Sequence, residues 1–341
     1  MSRLILHIGT HKTATTSIQK YLNRNRDVLA ERGIFYPSYD LIDHPVHYAH
    51  QAAVNAFSNQ NDDMTRDQAI AFFAAVRARR ADHDITILSA EPLYRHLDQA
   101  PAQPMPQDPE VYWARRRSYI TQIAEQVGGA EVVVVFREQA DYAHSLYQEH
   151  VKSTRYHHNM QVFRQRFWFH FDFLGQAKAW DAVFPGLRAL SYAHLCRGAG
   201  VEENFAAALD LNLPEGLPTA GRQNEGMLPD LVVLKRLLHH TCHSRDDIRR
   251  RMDQLDHAIR QHPDLLGMLR ARTLYRDAKG RRAFHSRFAA ANAELTQTYI
   301  TNVPEGEEAF PLRPLPNDIK WGEVMHPDLA DFLTRRVLDA A

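Results

Sequence analysis

The sequence predicts a three-layer α/β fold, a mostly parallel sheet between helices, with a mainly helical C-terminal extension. Three observations predict it. Short apolar runs dominated by β-branched residues recur at Leu4 to Ile8, Ile85 to Leu88 and Glu131 to Phe136, as in strands buried on both faces. Amphipathic stretches of helical character separate those runs. A turn rich in hydroxyl residues, Gly9 to Ser17, follows the first strand directly and opens a helix.

In chain order, the first strand leads through that turn into a helical pattern over Ser17 to Arg32. Gly33 to Tyr36, just before Pro37, is a weaker strand candidate. Tyr39 to Asn61 is irregular and rich in His, Asp and Asn, whereas Arg66 to Arg80 reads as a helix. After the second strong strand, the proline-rich stretch 97–108 suits a long loop over a ligand-binding edge. Helices over Tyr112 to Val127 and Ala140 to Lys152 flank the third strong strand, and Leu187 to Tyr192 is another weak strand. Beyond it the pattern is mainly helical, clearest at Met227 to Arg250 and Phe284 to Ile300, with a proline-rich tail over 304–316. A single domain over 1–341 is expected, with its α/β core in 1–200 and the helical extension in 201–341.

Composition narrows the function classes. The chain balances 41 basic against 41 acidic residues, so a general nucleic-acid or membrane-surface binder is not expected and any anion site must be local. No run reaches the length of a membrane span, and no secretory leader is expected, which gives a cytoplasmic address. Two cysteines, Cys196 and Cys242, cannot build a disulfide framework.

The turn after the first strand carries the chemistry. Backbone N–H groups and the positive end of a helix converge there on an anion. Lys12 adds a mobile charge, and Thr13, Thr15, Thr16 and Ser17 add hydroxyl donors. Aligned from Gly9, a Walker A loop would need Gly, Lys and a hydroxyl residue where Ala14, Thr15 and Thr16 stand. The lysine has moved into the loop. The strand Glu131 to Phe136 ends in Arg137, which serves an anion better than a metal.

These residues resemble a known family. HKTATTS is similar to the 5′-phosphosulfate loop of sulfotransferases that use 3′-phosphoadenosine 5′-phosphosulfate, and VVVVFREQADYAHSLYQ resembles their 3′-phosphate-binding segment. The resemblance covers roughly the first 200 residues and implies a P-loop nucleotide-hydrolase type of fold. It implies donor contacts from His11, Lys12, Thr13, Ala14, Thr15, Thr16 and Ser17, and 3′-phosphate contacts from Arg137 and Ser145. Less specific likenesses are Arg222-Gln223-Asn224, giving nucleotide contacts from Arg222 and Asn224, and Asn292 in a late helix. Ala14 departs from the family, which has glycine there; a left-handed backbone at that position would strain it, and a helical one would leave it harmless.

Sulfuryl transfer needs an in-line donor, a cation at the leaving oxygen and a base at the acceptor hydroxyl. Lys12 is the candidate for the leaving group. Glu91, in Ser89-Ala90-Glu91 just past a strand end, is the candidate base. A histidine is the alternative base, His11 or one of His44, His47 and His50, with His47 the choice among these three. No metal site is expected, since neither the His44, His47, His50 run nor the cluster at His239 to His243 has zinc-like spacing. Arg115 to Arg117 and Arg249 to Arg251 read as solvated helix faces, and Phe167 to Phe171 as core packing or the wall of an acceptor pocket. The expected acceptor is a carbohydrate or small molecule. The competing classes are a nucleotide kinase and a non-catalytic nucleotide-binding protein.

Overall fold

The computed structural model describes residues 2–58, 63–100, 103–219, 226–241, 244–270, 272–315 and 324–339. Five parallel strands form one sheet: β1 (Arg3–His7), β2 (Ile34–Phe35), β3 (Ile85–Ser89), β4 (Glu131–Phe136) and β5 (Arg188–Ser191). Their order is β2-β3-β1-β4-β5. β1 is therefore central, with Leu6 opposite Leu88 on one side and Val132 on the other. The chain moves from β1 to one flank for β2 and β3, then crosses to the other for β4 and β5. Such a reversal leaves a crevice outside the carboxyl ends of the central strands, where α/β sheets bind ligands.

Helices cover both faces, because successive side chains on a buried strand point to opposite sides. Ile5, Ile87, Val133 and Val135 pack with Ile18, Leu22 and Leu29 of the helices Thr15–Arg24 and Arg26–Glu31 and with Phe205 of Val201–Ala208. Phe136 turns to the other face and stacks on Phe173 of the helix Phe173–Asp181, ring centroids 4.5 Å apart. The open edge of β5 is covered by the later chain: Ala189 exchanges backbone hydrogen bonds with Tyr299 and Thr301.

Element boundaries differ from the sequence pattern where a polar side chain intervenes. The helix expected over Ser17 to Arg32 breaks at Asn25, whose amide side chain donates to Tyr21 O at 2.8 Å and ends the first segment. The one expected over Met227 to Arg250 divides into Pro229–Thr241 and Arg245–Arg260, the second capped by Ser244. The pattern over Phe284 to Ile300 is two helices, Ala278–Ser286 and Ala289–Thr298. Asp108 caps Pro109–Val127, which begins three residues before its apolar periodicity.

Contacts divide the chain into two compact units that interleave along the sequence. The first is Met1–Arg137, Asp172–Gln223 and Ala290–Pro311, and holds the sheet; the second is Glu138–Phe171, Asn224–Ala289 and Leu312–Ala341. The second has its own core, including Leu231, Ile248, Met252, Ile259 and Leu329. A buried ion pair within it joins Asp230 to Arg272 at 2.6 Å.

Two histidines make the first unit acid-sensitive. Burial depresses both His7 and His50 to a pKa of about 4, only partly opposed by Glu91 in the first case and by backbone hydrogen bonds in the second. Both are neutral in the fold and bind a proton when unfolded below about pH 6.5. The unfolded state then holds more protons, so stability falls as pH drops from that value toward 4. Urea unfolding at pH 7 and pH 5 should show a loss of about 2 kcal/mol for each histidine. His50→Gln should reduce proton uptake on unfolding at pH 5 by about one.

Candidate active site

The turn between β1 and the first helix is held by one threonine. Thr10 Oγ1 donates to Val135 O of β4 at 2.6 Å, and Thr10 O accepts from Thr13 Oγ1 at 2.7 Å and Thr15 Oγ1 at 2.9 Å. Gly9 makes room for this closure, since a Cβ there would lie 2.6 Å from Thr15 Cγ2. Thr13 and Thr15 were expected to donate to a ligand. They are buried and turned onto the loop's own carbonyl instead, because the loop folds back across Thr10. Thr16 and Ser17 are half-buried, and among the described residues neither hydroxyl has a partner.

Lys12 (φ 64°) and Ala14 (φ 60°) are left-handed, and Thr13 between them is not. Alternation between left-handed and other backbone is the pattern of anion-binding nests of successive N–H groups. The left-handed form costs an L-residue about 1–2 kcal/mol, so the threonine bonds must hold the loop against that strain. Ala14 is also the cap of the helix Thr15–Arg24 and supplies no side-chain bond to its first turn. That turn's amides remain available to an anion.

The loop, the end of β3 and the end of β4 converge on this turn. His11 Nδ1 lies 2.8 Å from Glu91 Oε1, both side chains half-buried. Burial works to raise the Glu91 pKa, but His11, Arg95 and Lys12 outweigh it and hold the carboxyl below its usual value. Glu91 is therefore a carboxylate at neutral pH. Arg137 Nη1 reaches Lys12 O at 3.4 Å, and its guanidinium lies over the Tyr192 ring, 5.6 Å from the centroid.

Beneath the loop, Ser89 Oγ meets His7 Nδ1 at 2.8 Å and accepts from Gln19 Nε2 at 3.1 Å. His50 braces the same strand end: its Nδ1 accepts from Ser89 N–H at 2.9 Å, and its Nε2–H donates to Pro37 O at 2.9 Å. His50 is a buried strut. Of the other two histidines in that run, His47 turns its Nδ1 to within 3.1 Å of the Ala49 backbone, and His44 bonds Asp63 O at 2.8 Å. The run is thus spent on shaping its own segment. No group of three metal-ligating side chains occurs among the described residues.

Arg116 is the largest departure from expectation. The triplet Arg115 to Arg117 reads as a solvated face, yet Arg116 is fully buried. Its guanidinium donates to His96 O at 2.7 Å, Gln176 Oε1 at 3.0 Å and Leu93 O, and lies against the Trp180 ring. Those carbonyls belong to and follow the turn Glu91–Tyr94, so Arg116 positions the segment that carries Glu91. Tyr112 and Tyr119, one turn to either side on the same helix, are also buried. That apolar face is the signal that one arginine of the triplet points inward.

Arg137 belongs to the first unit, whereas Ser145, half-buried on the helix Gln139–Ser153, belongs to the second. Arg222 and Asn224 lie outside the described residues.

Among solved structures, the chain is similar to a sulfotransferase from Alicyclobacillus acidocaldarius. That match has 15% identity and a TM-score of 0.39, covering 73% of this chain and 99% of that one. No family model and no curated protein matches the chain. A likeness at this level carries no functional argument.

Two substitutions test this geometry. Ala14→Gly removes left-handed strain while adding freedom to the unfolded chain, and should raise stability by about 0.5–1 kcal/mol in urea unfolding. Arg116→Gln strands buried carbonyls and should lower stability by about 3 kcal/mol or more by the same measurement.

Proposed function

We propose that the chain is a sulfotransferase, moving a sulfuryl group from 3′-phosphoadenosine 5′-phosphosulfate to a hydroxyl of a carbohydrate or small molecule. The observation that carries this reading is the His11–Glu91 pair, 2.8 Å apart, beside a left-handed lysine in an anion cradle. In this reading the donor's 5′-phosphosulfate lies against the amides of the loop and the first turn, with the Thr16 and Ser17 hydroxyls. The acceptor oxygen attacks sulfur as the bond to the 5′-phosphate oxygen breaks. Lys12 neutralises the charge that builds on that leaving oxygen. Glu91 takes the acceptor proton, and His11 fixes the carboxylate through its Nδ1. The products are the sulfate ester and 3′,5′-adenosine bisphosphate, and the proton passes from Glu91 to solvent.

Arg137 supports the same reading. It sits at the end of β4 against the loop's own carbonyl, where it would hold the 3′-phosphate.

Transfer of sulfur-35 from labelled donor to a saccharide panel tests the reading. Lys12→Ala should abolish labelling, and Glu91→Gln should cut turnover by roughly 10²–10⁴-fold with donor binding intact. Because Glu91 is held below its usual value, the wild-type rate should stay level from pH 8 to about pH 5 and fall only as the carboxylate protonates. A rate limb between about pH 6 and 7 would assign the proton to a histidine. Normal turnover in Glu91→Gln would remove the carboxylate from the reaction.

A further inference from the structure

Gln161, Arg164 and Gln165 share one face of the helix Met160–Arg166 in the second unit, away from its buried Met160 and Phe163. Trp168 opens the 3-10 turn Trp168–His170 that follows the end of that helix at Phe167. Together they offer two amides, a guanidinium and an indole. With Phe284 and Arg287, these four side chains line a cavity of about 250 Å³.

Arg164 is fixed in place. Its guanidinium lies 4.6 Å from the Phe284 ring centroid and 5.2 Å from that of Tyr275. Its Nε is buried with no hydrogen-bond partner among the described residues. Burial lowers its pKa and, against the opposing pull of Tyr275, the like charge of Arg287 adds to this. Among the described residues no carboxylate lines the cavity, and two cations, Arg164 and Arg287, face its space.

We propose that this cavity binds a sugar ring bearing an acidic group, either a carboxylate or a sulfate ester. Arg164 and Arg287 would clamp the acid through charge-assisted hydrogen bonds. Trp168 would stack on the ring's apolar face, and Gln161 and Gln165, one turn apart, would meet its hydroxyls. The site shares no residue with the loop of the first unit, so it stands or falls independently of sulfuryl transfer.

Calorimetric titration of the full chain tests the site with four probes: a glucuronate-containing tetrasaccharide, its carboxyl-reduced neutral counterpart, that neutral counterpart bearing a sulfate ester, and sodium sulfate. At least one acidic saccharide should bind tenfold or more tighter than the neutral one, a gap of about 1.4 kcal/mol. The carboxylate and sulfate arms identify which acid is preferred. Arg287→Gln, at an exposed position, should weaken that binding at least tenfold without changing the melting temperature, and Trp168→Leu should weaken it independently. Equal binding of acidic and neutral saccharides, no binding of either acidic one, sodium sulfate binding as tightly as they do, or wild-type affinity in Arg287→Gln would each overturn the proposal.

Discussion

The carbonyl of Thr10 accepts two hydroxyls, from Thr13 and Thr15, while the Thr10 hydroxyl is tied to Val135 of the neighbouring strand. The candidate site depends on this knot. Without it, nothing in the loop itself offsets the left-handed backbone of Lys12 and Ala14. With it, the amides at the head of the helix Thr15–Arg24 converge, and Lys12 and His11 stand on a loop fixed to the centre of the sheet. Two of the four hydroxyls that give this segment its anion-binding composition therefore act on the protein rather than on a ligand.

A second set of polar contacts ties the end of β3 to that loop. Ser89 is gripped through its side chain by His7 and Gln19 and through its amide by His50. Two residues later Glu91 meets His11, and the turn that follows is held by buried Arg116. The carboxylate is thus positioned from both sides by groups that do not themselves touch the proposed acceptor. Such bracing is what precise placement of a reacting group requires. It also explains the cost in acid, because buried neutral histidines are part of the brace.

Much of this was legible in the sequence. Strands β1, β3 and β4 announce themselves as short β-branched runs, and the loop by a lysine among hydroxyl residues directly after the first of them. The pairing of Glu91 with the loop follows once β3 lies beside β1. What could not be read is direction. Nothing local tells Thr13 and Thr15 to turn inward, because their acceptor is made by a fold-back over Thr10. His44, His47 and His50 lie in a segment that reads as irregular, so their spacing does not tell which way each ring turns. Arg116 goes against the usual solvation of arginine triplets, and only its buried neighbours Tyr112 and Tyr119 mark the inward face. The helix breaks at Asn25 and Ser244 were missed for a related reason: apolar periodicity runs through a capping residue without recording it.

The central claim is that the loop holds a metal-free 3′-phosphorylated adenosine donor rather than a metal-bound nucleotide. Calorimetry of the full chain with 3′,5′-adenosine bisphosphate, ADP and ATP, each with and without Mg²⁺, tests it most directly. The account predicts that the bisphosphate binds most tightly, by at least tenfold over ADP, with no dependence on Mg²⁺. Tight binding of ATP that requires Mg²⁺, with no affinity for the bisphosphate, would contradict it.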